Sequence, residues 1–210
     1  MPHTVGGPVP TGARQGRERQ KYGEAGERLV AGCIPFQMLK KLDGKCEVRI
    51  LMITSRNGKG FVFPKGGWEE DESVECAALR ETVEEAGVRG RLEEPFLGTF
   101  EFKSGKIDQQ SRANGNCLAY MFGMEVFEEL ECWPEHKERT RIWCTLGEAY
   151  VKVRHNWMRN ALVEWAARKG LQDQLAESLR SSANELSLDT DSSPNSDINP
   201  HYKSPVTAQS

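Results

Sequence analysis

Residues 66–88 read GGWEEDESVECAALRETVEEAGV, from Gly66 to Val88, and the rest of the chain can be arranged around them. The Gly66-Gly67 pair carries no Cβ, so the backbone there can turn tightly and approach a ligand closely. Glu69, Glu70, Asp71 and Glu72 follow and suit the positive end of a helix dipole, and Ser73 is a good N-cap residue. No breaker interrupts the run to Ala86, and Gly87 stands where a glycine closes a helix, so the pattern predicts a helix over 73–86. At about 3.6 residues per turn, Cys76, Leu79, Val83 and Ala86 share one face, while Glu81, Glu84 and Glu85 share the opposite one. Val74 points nearer the acidic side, and Thr82 lies between the faces. Carboxylates at i, i+3 and i+4 repel one another unless a cation lies among them, and oxygen donors suit Mg²⁺ or Mn²⁺ better than zinc. As a charge run alone, the trio reads more simply as a solvated acidic face, so its setting has to decide.

Upstream, the strand-like run 60–63 ends in the turn signal Pro64-Lys65. Further strand-like runs fall at 29–39, 47–54, 96–103, 117–126 and 141–144. A last helix over 156–168 carries Trp157, Ala161, Trp165 and Arg168 at helical spacing, with Leu162 and Ala166 beside them, which is a core stripe. Strands outnumber helices without a regular alternation, so the class is α/β (α+β), a mixed sheet flanked by helices. The division is a basic arm over 1–22, one domain over 23–170 and a Ser-rich tail over 171–210, with both ends expected to be disordered.

A net charge of −3 over 210 residues excludes a polycation that coats nucleic acid or membranes, so an anionic ligand has to be held locally. The six cysteines form no C-x-x-C pair and no zinc spacing, which makes them reduced thiols, with Cys76 and Cys117 read as core residues rather than nucleophiles. His136 and His155 are too isolated for a metal site. Neither a secretory signal nor an apolar span appears, which points to a soluble intracellular protein of cytoplasm or nucleus. Arg14, Arg17, Arg19 and Lys21 outnumber Glu18 in the arm, which leaves a mitochondrial presequence open, although its apolar face is missing.

The register around the helix resembles the Nudix box, G-x5-E-x7-R-E-U-x-E-E-x-G-U with U aliphatic. Gly66, Glu72, Arg80, Glu81, Glu84, Glu85, Gly87 and Val88 match, and only the first U departs, being Thr82. Its β-branched side chain keeps near-Val volume but adds a hydroxyl that needs a partner. The resemblance implies an α/β/α sandwich with a mixed central sheet, and hydrolysis of a phosphoanhydride by water. It makes Glu81, Glu84 and Glu85 metal carboxylates for Mg²⁺ or Mn²⁺, the Gly66 carbonyl a further ligand, and Glu72 and Arg80 the partners that brace loop against helix. The general base would be one of these glutamates or a later one such as Glu125, Glu128 or Glu129.

Outside the box, VAGCIP at 30–35, FPKGGW at 63–68, WPE at 133–135 and RTRIW at 139–143 are similar to plant Nudix hydrolases related to the diphosphoinositol polyphosphate phosphohydrolases. That subgroup implies diphosphoinositol polyphosphates or diadenosine polyphosphates as substrates. For such anions Lys65 and Arg56 are the first candidate contacts, with Lys59 and the Gly66-Gly67 backbone, then Lys103, Lys106 and Arg112. The alternatives are ADP-ribose, an NAD-type dinucleotide or capped RNA as substrate, or a non-catalytic polyphosphate-binding module. Degenerate box carboxylates would mark the last, and here all are intact.

Overall fold

The computed structural model describes residues 12–14, 16–41, 44, 46–104 and 115–188, with 181–188 as backbone only. Its strands are β1 (Arg28–Lys40), β2 (Cys46–Thr54), β3 (Phe61–Val62), β4 (Lys65–Gly67), β5 (Val88–Leu92), β6 (Gly98–Lys103), β7 (Asn116–Glu129) and β8 (Arg141–Thr145). The helices are α1 (Val74–Ala86), α2 (Leu146–Lys152), α3 (Asn156–Arg168) and α4 (Gln172–Leu188). The strands form one sheet in the order β3-β2-β1-β7-β5, with β4 also on β1, β6 on β7 and β8 on β2. Strands β1 and β7 run parallel and the other pairs antiparallel, so the sheet is mixed.

From Leu29 to Phe36, β1 is buried without a break, which requires cover on both faces. Cys33 Sγ reaches the Ala78 carbonyl of α1 at 3.6 Å, whereas the Phe36 ring packs on Trp165 of α3 with centroids 4.9 Å apart. Residues an odd number apart point to opposite faces of a strand, so α1 and α3 lie on opposite sides of the sheet. The result is the α/β/α sandwich.

Ser73 Oγ accepts from the Cys76 N–H at 3.2 Å, and Gly87, at φ 63, closes α1 through its N–H to the Val83 carbonyl. Thr82 is fully buried, and its hydroxyl donates to the Ala78 carbonyl at 2.8 Å. That back-bond satisfies the departure from an aliphatic residue. Helix α1 is less two-faced than its periodicity predicts. Glu84 and Glu85 are buried together with Leu79 and Val83, because loops as well as the sheet cover the helix. Cys76 corrects the core-thiol reading: it lies one turn into α1, ahead of the covered part, and is exposed, while Cys117 is buried.

Contacts of the domain run into both end segments. Within the arm over 1–22, Gln20 bridges to Glu69 and Tyr22 to Arg28, and the Lys21 N–H donates to the Trp68 carbonyl at 2.9 Å. Polar side chains hold this segment, which apolar patterning could not reveal. Within the tail over 171–210, α4 buries Leu175 and packs Leu179 against the core, with Ser178 seated over Gly147. The remainder of both end segments, 1–11, 15 and 189–210, lies outside the described residues.

Candidate active site

Strand β4 lies antiparallel to the start of β1, with Gly66 opposite Ala31 and Gly67 opposite Val30, and this pairing carries the glycine loop to the acidic side of α1. There it lines a cleft of about 650 Å³ together with Glu81, Glu84 and Glu85. A Cβ on Gly66 would come within 1.9 Å of Glu81 Oε2, so this glycine is what lets the carboxylate lie against the loop backbone.

Arg80 ties the same parts together. Its Nη2 and Nε donate to the two oxygens of Glu72 at 2.6 and 3.0 Å, Nη2 also reaches the Gly67 carbonyl at 2.9 Å, and Nη1 bonds Glu81 at 2.8 Å. A planar fork is suited to this four-way bracing of helix and loop. Glu85 accepts from the Lys65 N–H at 2.9 Å and from Arg139, whose Nε holds Glu135 at 2.6 Å. Arg56 closes on the other oxygen of Glu135.

Burial, with Glu85 beside it, pushes Glu81 up to about 8 in spite of Arg80. Burial also raises Glu85, against the pull of Arg139 and Lys65, and raises Glu84, against that of Arg80. Glu84 Oε1 is buried without a hydrogen bond, 3.5 Å from Arg80 Nη1, while Oε2 accepts from the Arg14 N–H at 3.2 Å. Buried carboxylates of this kind fit a hard divalent cation, which relieves both the burial and the mutual repulsion. As they stand, no three acidic, His or Cys side chains among the described residues close on a single point, since Arg80 and Arg139 engage Glu81 and Glu85.

Of the basic candidates, Lys65 and Arg56 line the cleft; Lys59 and Lys103 are exposed and do not, and Lys106 and Arg112 lie outside the described residues. Burial lowers the Lys65 ammonium, and Glu85 opposes the shift. Arg14, Arg17, Arg28, Glu135, Arg139 and His155 also line the cleft, although no pattern within one segment marks them. Arg139 and Glu135 sit in the similar stretches 133–135 and 139–143, the one signal that could have selected them. Glu125 and Glu128 pair instead with Arg91 and Arg89, and Glu129 with Trp143 and Arg141, away from the cleft lining.

A mixed sheet between helices, with a glycine loop set against a glutamate helix, defines the Nudix class. Residues 28–166 match the NUDIX domain, and the chain belongs to the Nudix hydrolase family. It is 53% identical over 157 residues to Nudix hydrolase 16, mitochondrial, of Arabidopsis thaliana, across 72% of this chain and 86% of that protein. It is 45% identical over 161 residues to Nudix hydrolase 12, mitochondrial, of the same plant, across 73% and 79%. Among solved structures, the E. coli dihydroneopterin triphosphate pyrophosphohydrolase shares the fold at a TM-score of 0.52 and 16% identity, over 70% of this chain and 98% of that one.

Proposed function

We propose that the protein hydrolyses phosphoanhydride bonds of diphosphoinositol polyphosphates or diadenosine polyphosphates with Mg²⁺ or Mn²⁺. The observation that carries this reading is a mismatch of charge within one cleft. Glu84 and Glu85 lie buried on one side, with the largely covered Glu81 beside them. Arg28 and Lys65 face the same space, and among the described residues neither forms an ion pair. Cations left without carboxylates beside carboxylates that gain from a cation suit a polyanionic ligand that arrives with divalent metal.

In this mechanism Glu81, Glu84 and Glu85 would hold the metal, with the Gly66 carbonyl as a further donor. A bound divalent ion would supply Lewis-acid polarisation of the anhydride and a lowered pKa for water. The chain's own residues do the rest. Lys65 and Arg28 bind phosphate oxygens, Arg56 and Arg139 hold Glu135 and Glu85 in place on the same wall, and the Arg80–Glu72 pair keeps Gly66 and Gly67 against Glu81. The proton of the attacking water passes to a cleft carboxylate among Glu81, Glu84, Glu85 and Glu135.

Phosphate release over a panel of diphosphoinositol phosphates, diadenosine polyphosphates, ADP-ribose and NADH, with Mg²⁺, Mn²⁺ or chelator, tests the reading. Turnover of the first two classes only with metal supports it; full turnover in chelator, or turnover confined to ADP-ribose or NADH, overturns it. The names of the two Arabidopsis relatives also support a mitochondrial location, which a fluorescent fusion of the whole chain checks.

A further inference from the structure

Gln20 belongs to the basic arm and has no place in the box, yet it is one of the most enclosed polar side chains of the cleft region, at 7% exposure. Its Nε2 donates to the Leu29 carbonyl at 2.7 Å, the Trp68 carbonyl at 3.1 Å and the Lys21 carbonyl at 2.9 Å. Its Oε1 accepts from Arg28 Nε at 2.7 Å. One amide therefore joins three chain segments: the arm, the beginning of β1 and the end of the glycine loop.

The packing around Gly67 shows why this matters for the cleft. A Cβ on Gly67 would come within 2.3 Å of Gln20 Oε1 and 3.1 Å of Arg28 Nη2, so the amide–guanidinium pair lies flat on the loop backbone. The Gly67 carbonyl is held by Arg80 at 2.9 Å. Arg28 has no carboxylate partner among the described residues, so its direction in the cleft depends on the single neutral acceptor that Gln20 offers. A neutral acceptor orients a guanidinium without cancelling its charge, whereas a carboxylate there would do both.

We propose that Gln20 is a positioning residue for polyanion binding: it aims Arg28 across Gly67 into the cleft and leaves the arginine's charge available to phosphate. The proposal rests on the polyphosphate reading above. It also makes the segment around Gln20 part of the binding site.

The test uses the full chain with two probes, inositol hexakisphosphate for binding by calorimetry and diadenosine tetraphosphate with Mn²⁺ for kinetics. Gln20→Met is expected to weaken binding and raise KM by about 10-fold or more, the size of effect typical of residues that orient a ligand contact, with kcat within about twofold. Arg28→Met is expected to do the same, and the double variant no worse than either single one, because both remove one unit. Gln20→Glu keeps the acceptor and most of the volume. It is expected to match or exceed the loss in Gln20→Met, since its charge neutralises the arginine and it cannot donate to the three carbonyls. Arg28→Met, which leaves those three bonds intact, serves where the Gln20 variants do not fold, and wild-type affinity there would overturn the proposal. Additive losses in the double variant, equal falls in kcat and kcat/KM, or wild-type affinity in Gln20→Glu would overturn the positioning role alone. Failure of wild type to bind or turn over either probe would overturn the polyphosphate reading, and this proposal with it.

Discussion

Replacing Gly66 with alanine separates the chemistry of the site from the stability of the fold. The added Cβ would lie 1.9 Å from Glu81 Oε2, and ordinary contact begins near 3.4 Å, so the carboxylate has to retreat by about 1.5 Å. Every close atom belongs to the far end of a flexible side chain, and the Gly66 φ lies outside the left-handed region, so the backbone can accept a side chain. A Gly→Ala change at a compatible position stabilises by about 0.4–1 kcal/mol through the unfolded state, which offsets much of the cost of moving Glu81. The expected melting temperature is therefore within about 3 °C of wild type. Activity responds differently, because a misplacement of about 1 Å in a reacting constellation costs on the order of 100-fold. Thermal unfolding and Mg²⁺-dependent turnover on the same preparation check both numbers. An unchanged kcat in folded Gly66→Ala would refute the claim that the glycine exists to admit Glu81, and an unfolded variant would show that the backbone, not the carboxylate, requires it.

Other perturbations have expected outcomes as definite. Arg80→Met leaves the buried Glu72 carboxylate without its bidentate partner, which should cost about 3 kcal/mol, or about 6–12 °C in melting temperature by calorimetry. Thr82→Val removes only the back-bond to Ala78 in a space that already holds a β-branched residue, so unfolding should change by less than about 1 kcal/mol and turnover should be retained. The pH dependence follows from Glu81, Glu84 and Glu85, all of which bind protons more tightly in the folded chain than at the ordinary value of 4.5. Their stabilising protonation is complete below about 4.5 and is lost as pH rises through the folded values, about 8 for Glu81. Chelator-treated protein should therefore melt at falling temperature from about pH 5 to pH 8, and Mg²⁺ at about 100 times its Kd should restore about 2.7 kcal/mol at the upper end; a flat profile with no response to metal contradicts this.

Where the sequence was legible, the cause is local. The helix over 73–86 carries its cap, its stop glycine and its carboxylate spacing within one short segment, and the structure moves its start by only one residue, with Ser73 as the cap and α1 starting at Val74. The strand-like runs at 29–39, 47–54 and 117–126 likewise place β1, β2 and β7. What escaped depends on contacts between distant segments. Arg139 meets Glu85 across 54 residues, and Gln20 meets Trp68 across 48, and no periodicity encodes either meeting. Lys65-Gly66-Gly67 has no strand propensity and predicts a turn, whereas the structure makes it β4 through its pairing with β1 beside it. Helix α2, by contrast, had a readable signal, the Thr145/Glu148 capping box, which seven residues of weak amphipathicity obscured.

Manganese binding tests the metal assignment most directly, since it requires no substrate. Chelator-treated wild type, Glu81→Gln and Glu85→Gln would be titrated with Mn²⁺ and followed by electron paramagnetic resonance, with circular dichroism to confirm folding. If the glutamates on α1 hold the metal, wild type binds Mn²⁺ and each folded variant loses about 10-fold or more in affinity, together with its phosphoanhydride hydrolysis. Equal Mn²⁺ affinity in wild type and both variants would contradict the assignment of Glu81 and Glu85 as metal ligands.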